Sequence, residues 1–168
     1  LVAGSRCIIL DEPVSALDIS IRAQILNLLR RLQQEHNLTY MLISHDLAAV
    51  RYLSNRIGVM YLGKLVEIAD TVSLYAAPLH PYTQALLSAV LLPRPETRDA
   101  EPMLSGEVPS ALALPSGCRF HPRCPHAQRL CRQVEPPLRA LGQQRQVACH
   151  LAEQFQPNSP WIEKEVSQ

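Results

Sequence analysis

The residues best suited to chemistry sit near the front of the chain. Ile8-Ile9-Leu10-Asp11-Glu12-Pro13 places two adjacent carboxylates directly after an apolar run. Such a run reads as a strand buried on both faces, and open α/β sheets bind ligands at the carboxyl ends of their strands. An Asp there can hold Mg²⁺, directly or through water, beside nucleotide phosphates. The Glu that follows can orient and polarise an attacking water. Acidic residues also end strands and cap the next helix with no ligand involved, and the pair alone does not separate the two readings. Ile43-Ser44-His45-Asp46 closes the next apolar run, so His45 falls at the end of a neighbouring strand. Asp11, Glu12 and His45 then converge on one sheet edge. An imidazole in that place can donate to a terminal phosphate or hold the water-activating Glu.

A second group lies far along the chain. Cys118, Cys124, Cys131 and Cys149 follow the spacing C-x5-C-x6-C-x17-C. Cys7 differs: inside an apolar strand it reads as a buried, inert small hydrophobe. Two disulfides, free thiols and metal ligation are the alternatives for the other four. Nothing else here suggests an oxidising compartment, which favours a metal site. The surrounding segment has few large apolar residues, so ligation would supply stability that its core cannot. The paired C-x2-C knuckles of structural zinc are absent. Cys124-Pro125 matches the Cys-Pro that ends iron–sulfur ligand runs. His121, His126 and His150 adjoin these cysteines and could replace one as ligand, but read rather as supporting or surface residues.

The elements that must position these groups follow from periodicity. Residues 7–10 and 39–43 are apolar strand runs. Between them, residues 20–36 form a helix with Ile21, Ile25, Leu28, Leu29 and Leu32 as one stripe, and Arg30, Arg31, Gln33 and Gln34 outward. Strand, helix, strand of this size implies parallel pairing through a right-handed crossover. A short helix follows over 46–53. Residues 56–62 and 64–68 read as a hairpin turning near Gly63. Asp70 is placed to cap a helix over 71–75, and Pro81 to occupy the first turn of one over 82–91. Gly58-Val59-Met60-Tyr61-Leu62-Gly63-Lys64 imitates a phosphate loop, but Leu65 stands where Ser or Thr is needed and the intervening residues are bulky and apolar. It belongs in a strand.

Composition sets the outer limits. The chain has 168 residues and a net charge of +1, which excludes a strongly basic nucleic-acid binder; no nucleic-acid partner is expected. Hydrophobic residues make up 47%, too many for a disordered chain. No apolar run approaches the roughly 20 residues that span a bilayer. Eleven of the 14 prolines fall at or after Pro93. That shift divides the chain into residues 1–92 of compact α/β structure, a Pro-rich linker over 93–117, the cysteine segment 118–150 and a loosely ordered tail 151–168; the first domain is placed at 1–77, with 78–117 a helix and Pro-rich linker.

The strand-end motifs resemble the ATP-binding subunits of ABC transporters. Ile8-Ile9-Leu10-Asp11-Glu12-Pro13 is similar to their Walker B strand and catalytic Glu. Ser15-Ala16-Leu17-Asp18 is similar to the D-loop, and His45 to the switch histidine. Two further stretches resemble the oligopeptide/dipeptide/nickel importer branch: Pro78-Leu79-His80-Pro81-Tyr82-Thr83-Gln84-Ala85-Leu86-Leu87, and Gly117-Cys118-Arg119-Phe120-His121-Pro122-Arg123-Cys124-Pro125. The resemblance implies an α/β fold: the C-terminal part of a P-loop NTPase (ABC) nucleotide-binding domain, followed by a small irregular Cys-rich extension. It implies ATP and Mg²⁺ as ligands, with Asp11 helping to hold Mg²⁺, Glu12 as general base and His45 sensing the γ-phosphate. Ser15, Ala16, Leu17 and Asp18 would communicate across a dimer of ATP-binding subunits. Some family members carry a 4Fe–4S cluster on matching cysteines, which implies one on Cys118, Cys124, Cys131 and Cys149, with zinc as the alternative.

In the family the P-loop, a glutamine loop and the Leu-Ser-Gly-Gly-Gln motif precede the Walker B strand. None is in this sequence, and Leu1-Val2-Ala3-Gly4 resembles the end of the helix after the last of them. The expectation is a C-terminal piece of a longer subunit, inactive by itself. The intact subunit would hydrolyse ATP to drive a peptide importer, bound to membrane-embedded permease subunits at the cytoplasmic face of the inner membrane. Other readings are a non-catalytic truncated or assembly module, a nickel or glutathione importer subunit, and a non-transport ATPase acting in DNA repair. The last is disfavoured by the His-Pro-Tyr-Thr and cysteine segments.

Overall fold

The computed structural model describes residues 4–91, 109–110, 113–142 and 144–155. Most of the Pro-rich linker, the stretch 1–3 and the tail beyond Phe155 lie outside the described residues. The chain forms two compact units, one ending at Asn55 and one starting at Arg56.

In the first unit, strand β1 (Cys7–Asp11) pairs in parallel with β2 (Thr39–Ile43), Asp11 opposite Ile43. Helix α1 (Ile19–His36) makes the crossover. Asp18 starts it, accepting from the Ile21 amide at 2.9 Å, and Asn37 ends it in the left-handed conformation. Its inner face is Arg22, Ile25, Leu26, Leu29, Leu32 and Gln33, all half-buried, while Ile21 and Leu28 stay exposed. The apolar stripe is thus turned from the one expected, because Leu26 takes the inward place of Leu28. Helix α2 (Leu47–Leu53) begins at Asp46, whose carboxylate accepts from the Ala48 and Ala49 amides at 3.0 and 3.1 Å.

Burial of these strands on both faces is a correction. Ile8, Leu10, Tyr40 and Leu42 are half-buried, and Tyr40 donates to the Leu29 carbonyl of α1. Ile9, Met41 and Ile43 are exposed on the other face, and so is Cys7. The sheet of β1 and β2 has only these two strands among the described residues, so nothing there covers the second face. Cys7 is therefore not the buried residue its strand position suggested.

The second unit is built on a hairpin. Strand β3 (Arg56–Tyr61) pairs antiparallel with β4 (Lys64–Asp70) through a turn with Leu62 and Gly63 both at positive φ. The Gly58–Lys64 imitation of a phosphate loop is thus strand and turn. Two-residue strands β5 (Arg139–Ala140) and β6 (Gln146–Val147) extend this sheet, with Val147 opposite Glu67. Ile57, Val59, Glu67, Ala69 and Val147 share its buried face. Helix α3 (Thr71–Ala76) starts at Asp70, as expected, and α4 (Pro81–Leu91) carries Pro81 in its first turn. Helix α5 (Arg129–Gln133) lies in the cysteine segment. The tail is not loose at its start: Leu151 and Ala152 are buried in a cluster with Val147 and Cys149. Of the whole expected fold, the mixed α/β character is what this architecture carries.

Candidate functional site

Parallel pairing with Asp11 opposite Ile43 brings the residues after both strands to one edge. There His45 Nδ1 lies 2.8 Å from Glu12 Oε1, and the His45 amide donates to the same oxygen at 3.2 Å. Glu12 has a positive φ of 45°, a conformation that costs a non-glycine residue about 1–2 kcal/mol. Two contacts hold it: its amide donates to the Ile43 carbonyl at 2.9 Å, and Ser15 Oγ donates to its carbonyl at 3.0 Å. The imidazole is 80% exposed and the Glu12 side chain 37%, so the pair is open to a ligand. Asp11 is exposed at the end of β1.

Asp18, expected as part of a communicating loop, also has a structural task as the N-cap of α1. Ser15, Ala16 and Leu17 bridge Glu12 to that cap. Arg22 joins the two loops: its Nη1 lies 2.6 Å from Asp46 Oδ2 and its Nη2 donates to the Leu17 carbonyl at 3.2 Å. Burial alone would raise the Asp46 carboxyl. The amide of Ala49 and the Arg22 guanidinium outweigh it and hold the group below the usual range. Sequence reasoning passed over Arg22. The signal was present, since Arg22 shares its helix face with Ile25, Leu26 and Leu29.

The other chemical residues gather in the second unit. Cys118, Cys124, Cys131 and Cys149, with His80 and Phe120, line one cavity of about 10 Å³. That is room for about one water-sized sphere. All five cysteines are free thiols here. Burial pushes Cys118 and Cys124 up and Cys149 up to about 11, which keeps these thiols protonated at neutral pH. Among the described residues, no group of three or more His, Cys, Asp or Glu is arranged to hold a metal ion. The expected 4Fe–4S cluster on these four cysteines, and zinc in its place, are therefore unsupported. The donor types suit a metal, and all four cysteines line this one cavity.

His80 links this cavity to the hairpin. Its Nδ1 accepts from the Tyr82 amide at 3.1 Å, and its ring stands 5.8 Å from that of Phe120. Phe120 also meets Tyr61 and Tyr82. Burial lowers the His80 pKa to about 4, so the ring is neutral. Glu67 lies fully buried beneath the start of α4, accepting from the Leu79 and His80 amides at 2.9 Å each. Burial raises its pKa against these two donors. His121 Nδ1 contacts the Cys118 carbonyl and His150 Nε2 the Val134 carbonyl, while the His126 ring packs against Phe155. His121 and His150 also line the cysteine cavity.

The chain is similar to known proteins over most of its length. Residues 66–131 match the family described as the oligopeptide/dipeptide transporter, C-terminal region. The oligopeptide transport ATP-binding protein AppF of Bacillus subtilis is 50% identical over 153 residues, covering 90% of this chain and 46% of its own. The di/tripeptide transport ATP-binding protein DppF of Pseudomonas aeruginosa is 50% identical over 150 residues, 89% of this chain and 46% of its own. The chain thus spans a little under half the length of these relatives.

Proposed function

We propose that the chain, which is similar to oligopeptide and dipeptide transport ATP-binding proteins, carries the hydrolytic end of an ATP-binding subunit that energises a peptide importer. The observation that carries this reading is the contact of His45 with Glu12 beside Asp11 at the two strand ends. Glu12 acts as general base: His45 occupies Oε1, which leaves Oε2 to accept a proton from the attacking water. His45, protonated at both ring nitrogens, donates Nδ1–H to Glu12 and its Nε2–H to the terminal phosphate of ATP. Asp11 is the residue to hold Mg²⁺, whose charge would offset that of the phosphate oxygens. The loop of Ser15, Ala16, Leu17 and Asp18 faces a second ATP-binding subunit.

The phosphate cradle that gives ATP its main affinity is not among these 168 residues, so turnover belongs to the intact subunit. The partners are permease subunits within the membrane, with this subunit peripheral on the cytoplasmic side. Among the described residues no helix is long and apolar enough to cross a membrane. Peptides are the substrate class favoured by the names of the relatives, ahead of nickel or glutathione.

The test is Glu12→Gln in the intact subunit. Magnesium-dependent ATP turnover is expected to fall at least about a hundredfold while ATP still binds. Undiminished turnover in that variant would sink the assignment, as would turnover by the 168-residue chain alone.

A further inference from the structure

We propose that Arg22 is a positioning residue that keeps the 15–18 loop in register with the loop presenting His45. The inference rests on the function proposed above. Its basis is a closed ring of contacts in the first unit. Ser15 Oγ donates to the Glu12 carbonyl, and Glu12 Oε1 takes both the amide and Nδ1 of His45. Asp46 follows His45 in the chain and meets Arg22 Nη1, while Arg22 Nη2 returns to the Leu17 carbonyl.

Each end of this ring is held without Arg22. Asp46 caps α2 through Oδ1, and only Oδ2 goes to the guanidinium. Asp18 caps α1 by itself. Helices α1 and α2 have their own ties at the far end: Arg30 donates to the Tyr52 carbonyl, and the Tyr52 hydroxyl donates to Asn27. Arg22 supplies a direct tie between the 15–18 loop and Asp46, beside the indirect one through Glu12 and His45. Its planar fork suits the task, since one side chain reaches a carboxylate and a carbonyl in fixed relative directions. The Arg22 side chain is 32% exposed and that of Asp46 19%, so the pair is partly shielded from water. Arg22 Nε is buried without a hydrogen-bond partner, so the two Nη contacts fix the head group. Lys in the same place could keep the charge near Asp46 but not both directions.

The experiment compares Arg22→Gln, Arg22→Lys and Arg30→Gln with the parent in the intact subunit. Steady-state ATP turnover is measured together with amide hydrogen exchange. Arg22→Gln is expected to lower kcat about tenfold or more, as one charge-assisted contact is lost, with the KM for ATP within about threefold. Arg22→Lys should recover part of kcat. Arg30→Gln, which removes a guanidinium–carbonyl contact on the same helix away from the loops, should leave kcat unchanged. Exchange at the His45 and Leu17 amides should quicken in Arg22→Gln only. Unchanged kcat in Arg22→Gln, an equal fall in Arg30→Gln, or a change confined to KM overturns the proposal. If the parent itself lacks ATP turnover, the functional reading fails. The exchange pattern then decides the positioning role separately. Should Arg22→Gln not fold, the partial loss in Arg22→Lys decides it.

Discussion

Gly117→Ala tests the packing of the cysteine segment against α5. Gly117 has φ of +64°, and a Cβ there would lie 2.5 Å from the Cys131 carbonyl oxygen. It would also stand 2.8 and 3.0 Å from the carbonyl carbon and oxygen of Arg132. All three are backbone atoms and cannot rotate away. The same backbone takes two hydrogen bonds from either side of Gly117. The Cys118 amide donates to the Cys131 carbonyl at 2.8 Å, and Ser116 Oγ donates to the Arg132 carbonyl at 3.0 Å. The left-handed conformation costs Ala about 1–2 kcal/mol. Moving α5 away costs two hydrogen bonds at about 1 kcal/mol each, for a total of roughly 3–4 kcal/mol. Gly142→Ala is the matched control, with φ of +84° and open space where its Cβ would go. It should lose only the conformational part, about 1–2 kcal/mol. Urea unfolding at neutral pH measures both, with the slope m checked for constancy. If Gly117→Ala is no more destabilised than Gly142→Ala, the steric argument is wrong.

Other perturbations reach the second unit through different physics. The His80 pKa falls from 6.5 to about 4 on folding, so the unfolded chain binds the proton more readily between those values. Stability should fall by about 2 kcal/mol between pH 7.5 and 5 from this group, and urea midpoints of His80→Asn should fall correspondingly less. Phe120→Ala removes a ring packed against Tyr61, Tyr82 and His80 and should cost about 3–5 kcal/mol in the same assay. Asp70→Ala strips α3 of the oxygen that accepts from the Ser73 amide; a loss of about 1 kcal/mol in thermal or urea unfolding is expected.

Local chemistry was legible in the sequence wherever a feature depends on near neighbours. Asp18, Asp46 and Asp70 cap helices because a short acidic side chain precedes a helical run. The meeting of Glu12 and His45 follows from two strand ends brought side by side by one crossover. Burial was not legible in the same way. Whether Ile9 and Met41 are covered depends on what lies against the sheet, and alternation within five residues carries no record of that. The pairing of Glu67 with Val147 was invisible because a two-residue strand has no period. Glu67 itself interrupts an apolar strand, and the amides of Leu79 and His80 help explain why a carboxylate is tolerated there. The four cysteines do converge on one cavity, but spacing does not specify how closely thiols approach one another. Arg22 was hidden for another reason: a charged residue on a helix is read by default as facing water.

The late pairing of β4 also bears on how the chain is made. Glu67 and Val147 are eighty positions apart, so during synthesis β4 emerges long before the strand that covers its edge. Over that interval the hairpin has an unpaired row of amides and carbonyls, a template for adhesion to other chains. Loop closure over that distance slows the final step, since the chain pays the entropy before the contacts form. A product that stops short of Gln146 would keep the Glu12–His45 contact and the helix caps. It would still lack the strand and the Val147, Cys149, Leu151 and Ala152 cluster that finish the second unit. Quality control would therefore meet it as a chain with an intact first unit and a sticky, incomplete second one.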